Sequence, residues 1–123
     1  ADCNEISCKE YTIARGDNKM IHLTAKNFAM EAKHYPGPVV VMFYAVWCGK
    51  CAMMKPVLEK LEQRYAERIR FCEVEIEESA VLAAEYGADI VPTFVTFRDG
   101  EVYSIMQGVI DEKIFAERIK ELL

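Results

Sequence analysis

The sequence predicts an α/β fold: a central mixed β-sheet flanked by helices on both faces, with elements in the order β-α-β-α-β-α-β-β-α. Three observations carry this reading. Val39 to Val46 is apolar without alternation, the pattern of a strand buried on both faces. Runs of this kind alternate with helical patterns, which implies parallel pairing across helical crossovers. Late in the chain, Asp99-Gly100 joins two β-patterned runs, a strong hairpin signal that adds antiparallel strands.

The 123 residues suit one domain, and 52% apolar against 28% charged residues is enough for a core and excludes a disordered or low-complexity chain. A net charge of −5 argues against nucleic acid or an anionic membrane as the main partner. The longest uncharged stretch, Tyr35 to Gly49, contains Pro36, Gly37 and Pro38 and falls short of the roughly 20 residues a bilayer requires. No secretory or lipidation signal is evident, so the expected location is the cytoplasm and the expected state a monomer. Five cysteines cannot all pair within one chain.

Residues 1–16 are polar and read as an arm, with the alternation of Tyr11 and Ile13 allowing a short edge strand at its end. Residues 17–123 form the domain. Met20 to Leu23 is a short strand. Thr24 is placed to cap a helix that runs toward His34 and stops at Tyr35-Pro36-Gly37-Pro38. After the strand Val39–Val46, apolar positions at Met53, Met54, Val57, Leu58, Leu61 and Tyr65 make one helical stripe, with Pro56 inside it. Phe71 to Ile76 is a strand, and Ser79 caps a short helix ending near Tyr86, with Gly87 at its C′ position. Thr93–Phe97 and Val102–Met106 form the hairpin. Asp111 opens a final helix with Ile114, Phe115, Ile119 and Leu122 on one side.

The chemistry concentrates where the buried strand becomes a helix. Cys48 and Cys51 stand at C-x-x-C spacing there. Unpaired N–H groups and the dipole at a helix N-terminus stabilise an anion, so the Cys48 thiol is expected to ionise readily. Cys51 lies one turn inward, near enough to attack a mixed disulfide on Cys48, and Gly49 is expected to ease a tight backbone turn between them. The rival reading is half of a zinc site completed by Cys3 and Cys8. Zinc knuckles sit in tight turns, whereas Cys51 leads into a long amphipathic helix, and no metal is expected. Cys72 reads as a small buried hydrophobe. His22 and His34 read as structural or solvated, and Glu75, Glu77 and Glu78 as a solvated cluster at a helix start.

Trp47-Cys48-Gly49-Lys50-Cys51 after an apolar strand resembles the active site of the thioredoxin family. Further anchors follow in register: His22-Leu23-Thr24, Phe28, Pro56, Tyr86-Gly87, Val91-Pro92-Thr93, Phe97 to Val102, and Gly108. A lone C-x-x-C is weak evidence; this ordered set, spanning about Asp17 to Leu123, is specific. The resemblance implies the thioredoxin fold and reduction of protein disulfides, with Cys48 as nucleophile and Cys51 as resolving thiol. It also implies a thioredoxin-reductase-type electron donor and no bound cofactor, since the dithiol carries the electrons. Trp47, Gly49, Lys50, Val91, a cis Pro92 and Gly108 would line the substrate groove. Alternative roles are a disulfide oxidase or isomerase, and a redox-gated binding module.

Three positions depart from the family pattern. Lys50 stands for the usual proline between the cysteines, Met42 for a buried aspartate, and Glu73 for that aspartate's lysine partner. Glu73 is therefore expected to be a partly desolvated carboxylate without a cation, taking over proton acceptance from Cys51. The competing expectation is that it turns to water and solvent does the work.

Overall fold

The computed structural model describes residues 20–123; the expected arm, with Cys3 and Cys8, lies outside them. Five strands form one sheet: β1 (Ile21–Leu23), β2 (Pro38–Tyr44), β3 (Arg70–Glu75), β4 (Thr93–Arg98) and β5 (Glu101–Gln107). Their order across the sheet is β1-β3-β2-β4-β5. The pairs β1–β3 and β2–β3 are parallel, and β2–β4 and β4–β5 are antiparallel. Three α-helices join them: α1 (Gly49–Tyr65), α2 (Ala80–Glu85) and α3 (Glu112–Lys120).

Strand β2 lies at the centre, and Val39 through Phe43 are fully buried, as its unbroken apolar run requires. Its residues alternate between two cores. Val40 and Met42 face α1 and α3, with Leu58, Phe94, Phe115 and Ile119. Val39, Val41 and Phe43 face α2 and the first turn, with Phe28, Ala32, Leu82 and Phe97. The strand ends at Tyr44, two residues before its expected limit, and Val46 projects into solvent. Pro56 lies within α1 without ending it.

Four local expectations are corrected. The first helix is a wide turn: Phe28 N–H and Glu31 N–H donate to Thr24 and Asn27, but His34 N–H donates to Ala29, making Ala29–Lys33 a π-helical turn. The Asn27 side chain accepts from Thr24 N–H and donates to the His22 carbonyl, tying the start of this turn to the end of β1. Thr24 Oγ1 still accepts from Lys26 N–H at 3.2 Å. Ser79 holds the N-cap position of α2, but its buried hydroxyl makes no hydrogen bond. Met53 and Ile114 are mostly exposed, so the stripes of α1 and α3 are narrower than the apolar spacing suggested.

The β4–β5 turn behaves as expected, with positive φ at both Asp99 (52°) and Gly100 (87°). Gly100 is also tightly approached: a Cβ there would lie 2.7 Å from the Lys33 carbonyl oxygen. Among the described residues, no helix is long and apolar enough to cross a membrane.

Candidate active site

Cys48 is the N-cap of α1. Its extended backbone turns the chain from the end of the central strand into the helix, and its sulfur accepts the Cys51 N–H at 3.3 Å. The cysteine thus does what Ser or Asp does at most helix starts. The sulfur is partly exposed and reaches the Val91 carbonyl, at 3.8 Å. The Val91-Pro92 bond is cis, and Gly108 N–H donates to the Pro92 carbonyl at 2.9 Å. Gly108 has φ +90°, and a Cβ built on it would meet nothing within 4 Å. The space above the Pro92 loop is therefore open. Gly49, by contrast, takes no left-handed conformation. The expected tight turn is absent because the chain enters the helix directly from Cys48, and Gly49 simply leaves the surface beside the sulfur bare.

The two thiols differ in acidity. Burial pushes Cys48 upward, but hydrogen bonds from the Cys51 thiol and from the Cys51 and Lys50 backbone N–H groups outweigh it. The Lys50 charge adds to them, and the net effect holds Cys48 below the ordinary thiol range. Cys51 is buried, 3% exposed. Burial, then its hydrogen bond to Cys48, pushes its thiol up to about 11, with Lys55 pulling the other way. Cys72 lies on the opposite face of the sheet, where burial pushes it up to about 12.

Trp47 is 64% exposed, and its indole N–H donates to Glu77 at 2.8 Å. Glu77 therefore steadies the exposed ring instead of being merely solvated. Glu78 also has a partner, His22, at 2.7 Å. The structure brings Trp47, Gly49, Lys50, Val91, Pro92 and Gly108 around one end of α1 and the Pro92 loop, beside Cys48.

Glu73 is where the sequence expectation fails in part. It pairs with Met42 across β2–β3 and with His22 across β1–β3. Its side chain is 17% exposed and is not without cations. Glu73 Oε1 accepts from Lys55 Nζ at 3.4 Å. Glu73 Oε2 accepts from His22 Nδ1 at 3.0 Å and from the Tyr44 hydroxyl at 3.5 Å. The lysine that the sequence lacks on β3 arrives from α1, one turn beyond Cys51. Sequence reasoning missed Lys55 and His22. The signal for Lys55 was its i,i+4 spacing from Cys51, which puts both on one helix face; His22 needed the strand register.

The family model for thioredoxin matches residues 19–121. The chain is 32% identical over 103 residues to thioredoxin of Chlorobaculum thiosulfatiphilum, covering 84% of this chain and 95% of that one. It is 30% identical over 101 residues to thioredoxin 1 of Synechococcus elongatus, covering 82% and 94%. Against thioredoxin of Bacillus subtilis it is 30% identical over 104 residues, covering 85% and 98%. With the mixed sheet, the dithiol at a helix start and the proline loop beside it, these matches establish that the chain belongs to the thioredoxin family of protein thiol–disulfide oxidoreductases.

Proposed function

We propose that the chain reduces disulfide bonds in other proteins through Cys48-Gly49-Lys50-Cys51. The observation that carries this is the asymmetry of the pair: a partly exposed thiol held below the usual range, hydrogen-bonded to a buried thiol pushed up to about 11. The first ionises and meets substrate; the second keeps its proton until the first has reacted. Cys48 thiolate attacks a substrate sulfur, forming a mixed disulfide and releasing the other substrate sulfur as a thiolate. Cys51 then loses its proton and attacks Cys48 Sγ. The intramolecular disulfide forms, and the second substrate sulfur leaves with the electron pair and takes up a proton.

The substrate segment lies in the groove of Trp47, Gly49, Lys50, Val91, Pro92 and Gly108, against the exposed backbone near Val91. Glu73 enters differently from its sequence assignment. With donors on both oxygens it serves as an anchor for Lys55, and the Cys51 proton passes to solvent. The oxidised pair is reset by a thioredoxin-reductase-type donor, no bound cofactor takes part, and the setting is the reducing cytoplasm.

The test is a Cys51→Ser variant incubated with an insulin-type disulfide substrate. It should accumulate a stable mixed disulfide that maps to Cys48, while Cys48→Ser forms none. An adduct on another cysteine overturns the assignment.

A further inference from the structure

We propose that Lys55 is a positioning residue for the resolving half of the exchange: anchored by Glu73 one helical turn from Cys51, its ammonium stabilises the negative charge that develops on the Cys51 sulfur. This rests on the dithiol reading above and names the residue that makes its second step practicable.

The placement is set by three elements. On α1, Lys55 follows Cys51 by four residues, so the two side chains share a face. From β3, Glu73 Oε1 holds the ammonium at 3.4 Å. From β2, the Tyr44 ring lies under it, with Nζ 4.8 Å from the ring centroid. Lys55 thereby reaches a cavity of about 230 Å³ whose walls include Tyr44, Ala45, Cys48 and Cys51. This is a largely apolar inlet to the buried thiol from the α1 side, with Lys55 in its wall, separate from the Pro92 loop that borders Cys48.

The need for such a group follows from what surrounds Cys51. Met42, on the same face of β2, is fully buried and can neither accept a proton nor supply charge. A thiolate formed there without a cation would have only the Ala45 backbone hydrogen bond to set against its desolvation penalty. The field of Lys55 reaches Cys51 and lowers its thiol pKa, while Cys48 is lowered chiefly by the Cys51 thiol, the Cys51 and Lys50 backbone N–H groups and the Lys50 charge. With Lys55 four residues after Cys51 on one helix face, its main influence falls on the second step. The other ionisable groups facing this edge are Tyr44 from β2, Glu73 and Glu75 from β3, His22 from β1 and Glu78 before α2. Tyr44, pushed up to about 12 first by burial and then by those carboxylates, stays neutral through the working range.

In the step itself the Cys51 S–H gives its proton to solvent in the inlet, and the thiolate attacks Cys48 Sγ. The Cys48–Cys51 bond forms, the bond from Cys48 to the substrate sulfur breaks, and that sulfur leaves with the electron pair. Lys55 remains protonated throughout.

The test uses the full chain with Cys3→Ser and Cys8→Ser, reacted with 5,5′-dithiobis(2-nitrobenzoate) in a stopped-flow instrument across pH. Attack by Cys48 releases one chromophore; resolution by Cys51 releases the second. An opposite charge within a few ångströms shifts a pKa by about one to three units, and Lys55 is partly exposed and shares its charge with Glu73. Lys55→Gln should therefore slow the second phase about tenfold at neutral pH and move its titration up by about one unit, leaving the first phase within about twofold. Lys55→Arg should restore the second phase. A second phase with an unchanged pH profile in Lys55→Gln overturns the proposal, as does Lys55→Arg being as slow as Lys55→Gln. If the parent protein releases no second chromophore, the dithiol reading fails at its root and this proposal with it.

Discussion

The acidity of Cys48 should be dominated by its partner thiol and only secondarily by the neighbouring lysine. Against burial, the contributions that lower it run in order from the Cys51 thiol, through the backbone N–H groups of Cys51 and Lys50, to the Lys50 charge. Cys51→Ala removes the first and keeps the backbone donors. A hydrogen bond to a charged acceptor is worth roughly 1.5–3 kcal/mol, but S–H is a weak donor and water can replace it at a partly open sulfur. A net loss of about 1 kcal/mol raises the Cys48 pKa by about 0.7 unit, or about fivefold less thiolate below the titration. Lys50 is exposed, and removing such a charge costs about 0.5 kcal/mol, so Lys50→Gln should shift Cys48 by about 0.4 unit. Cys51→Ser retains a hydroxyl donor and should raise Cys48 less than Cys51→Ala does. The assay is the rate of iodoacetamide alkylation against pH, with the label assigned to Cys48 by peptide mass. A Cys51→Ala profile coincident with wild type, or a larger shift in Lys50→Gln, would refute the ordering.

Three further outcomes are expected. Cys72 is pushed by burial up to about 12, above its unfolded value of about 8.5. The native state therefore holds a proton that the unfolded state has lost, and stability falls as pH rises past that value. Urea unfolding should show Cys72→Val losing about 2 kcal/mol less than wild type between about pH 8 and 10.5; equal losses would exclude Cys72 as a source. His22 is raised, first by its hydrogen bond to Glu73 and then by that to Glu78. Its contribution is complete below the unfolded pKa and vanishes as pH rises through the folded one, so His22→Asn should cost more at about pH 5.5 than at pH 8, by less than about 1 kcal/mol at this exposed site. Gly100→Ala must carry a positive φ and a Cβ pressed on the Lys33 carbonyl; a loss of about 1–3 kcal/mol by urea titration is expected, and a neutral effect would mean that the hairpin shifts freely.

What the sequence disclosed were features written in local pattern. The unbroken run Val39–Val46 identified the central strand, Asp99-Gly100 the hairpin, and the strand-to-helix junction the place of Cys48 at a helix start. What it hid depended on register and on side chains converging from separate elements. Met42 and Glu73 could be recognised as departures, but the replacement cation sits on α1, where i,i+4 spacing from Cys51 was its only trace. His22 meets Glu73 because β1 lies parallel beside β3 in one particular register, which no local pattern specifies. Met53 and Ile114 fit their helical periods yet face water, since periodicity gives the direction of a stripe and not its width. The first turn opened into a π-turn at Ala29–Lys33, which no local pattern marked.

In the proposed exchange the sulfur that caps α1 is also the sulfur that reacts, so the first turn of that helix registers the electron count of the protein. As a thiolate, Cys48 Sγ is a charged acceptor for the Cys51 amide hydrogen; in a disulfide it is a neutral and much poorer one. Each turnover thus tightens and loosens one hydrogen bond at the mouth of a 17-residue helix. The Cys51 amide becomes an internal gauge: its proton chemical shift and its solvent exchange should follow the redox state without any label, and a partner that distinguishes the reduced from the oxidised form can do so by sensing how firmly that turn is closed.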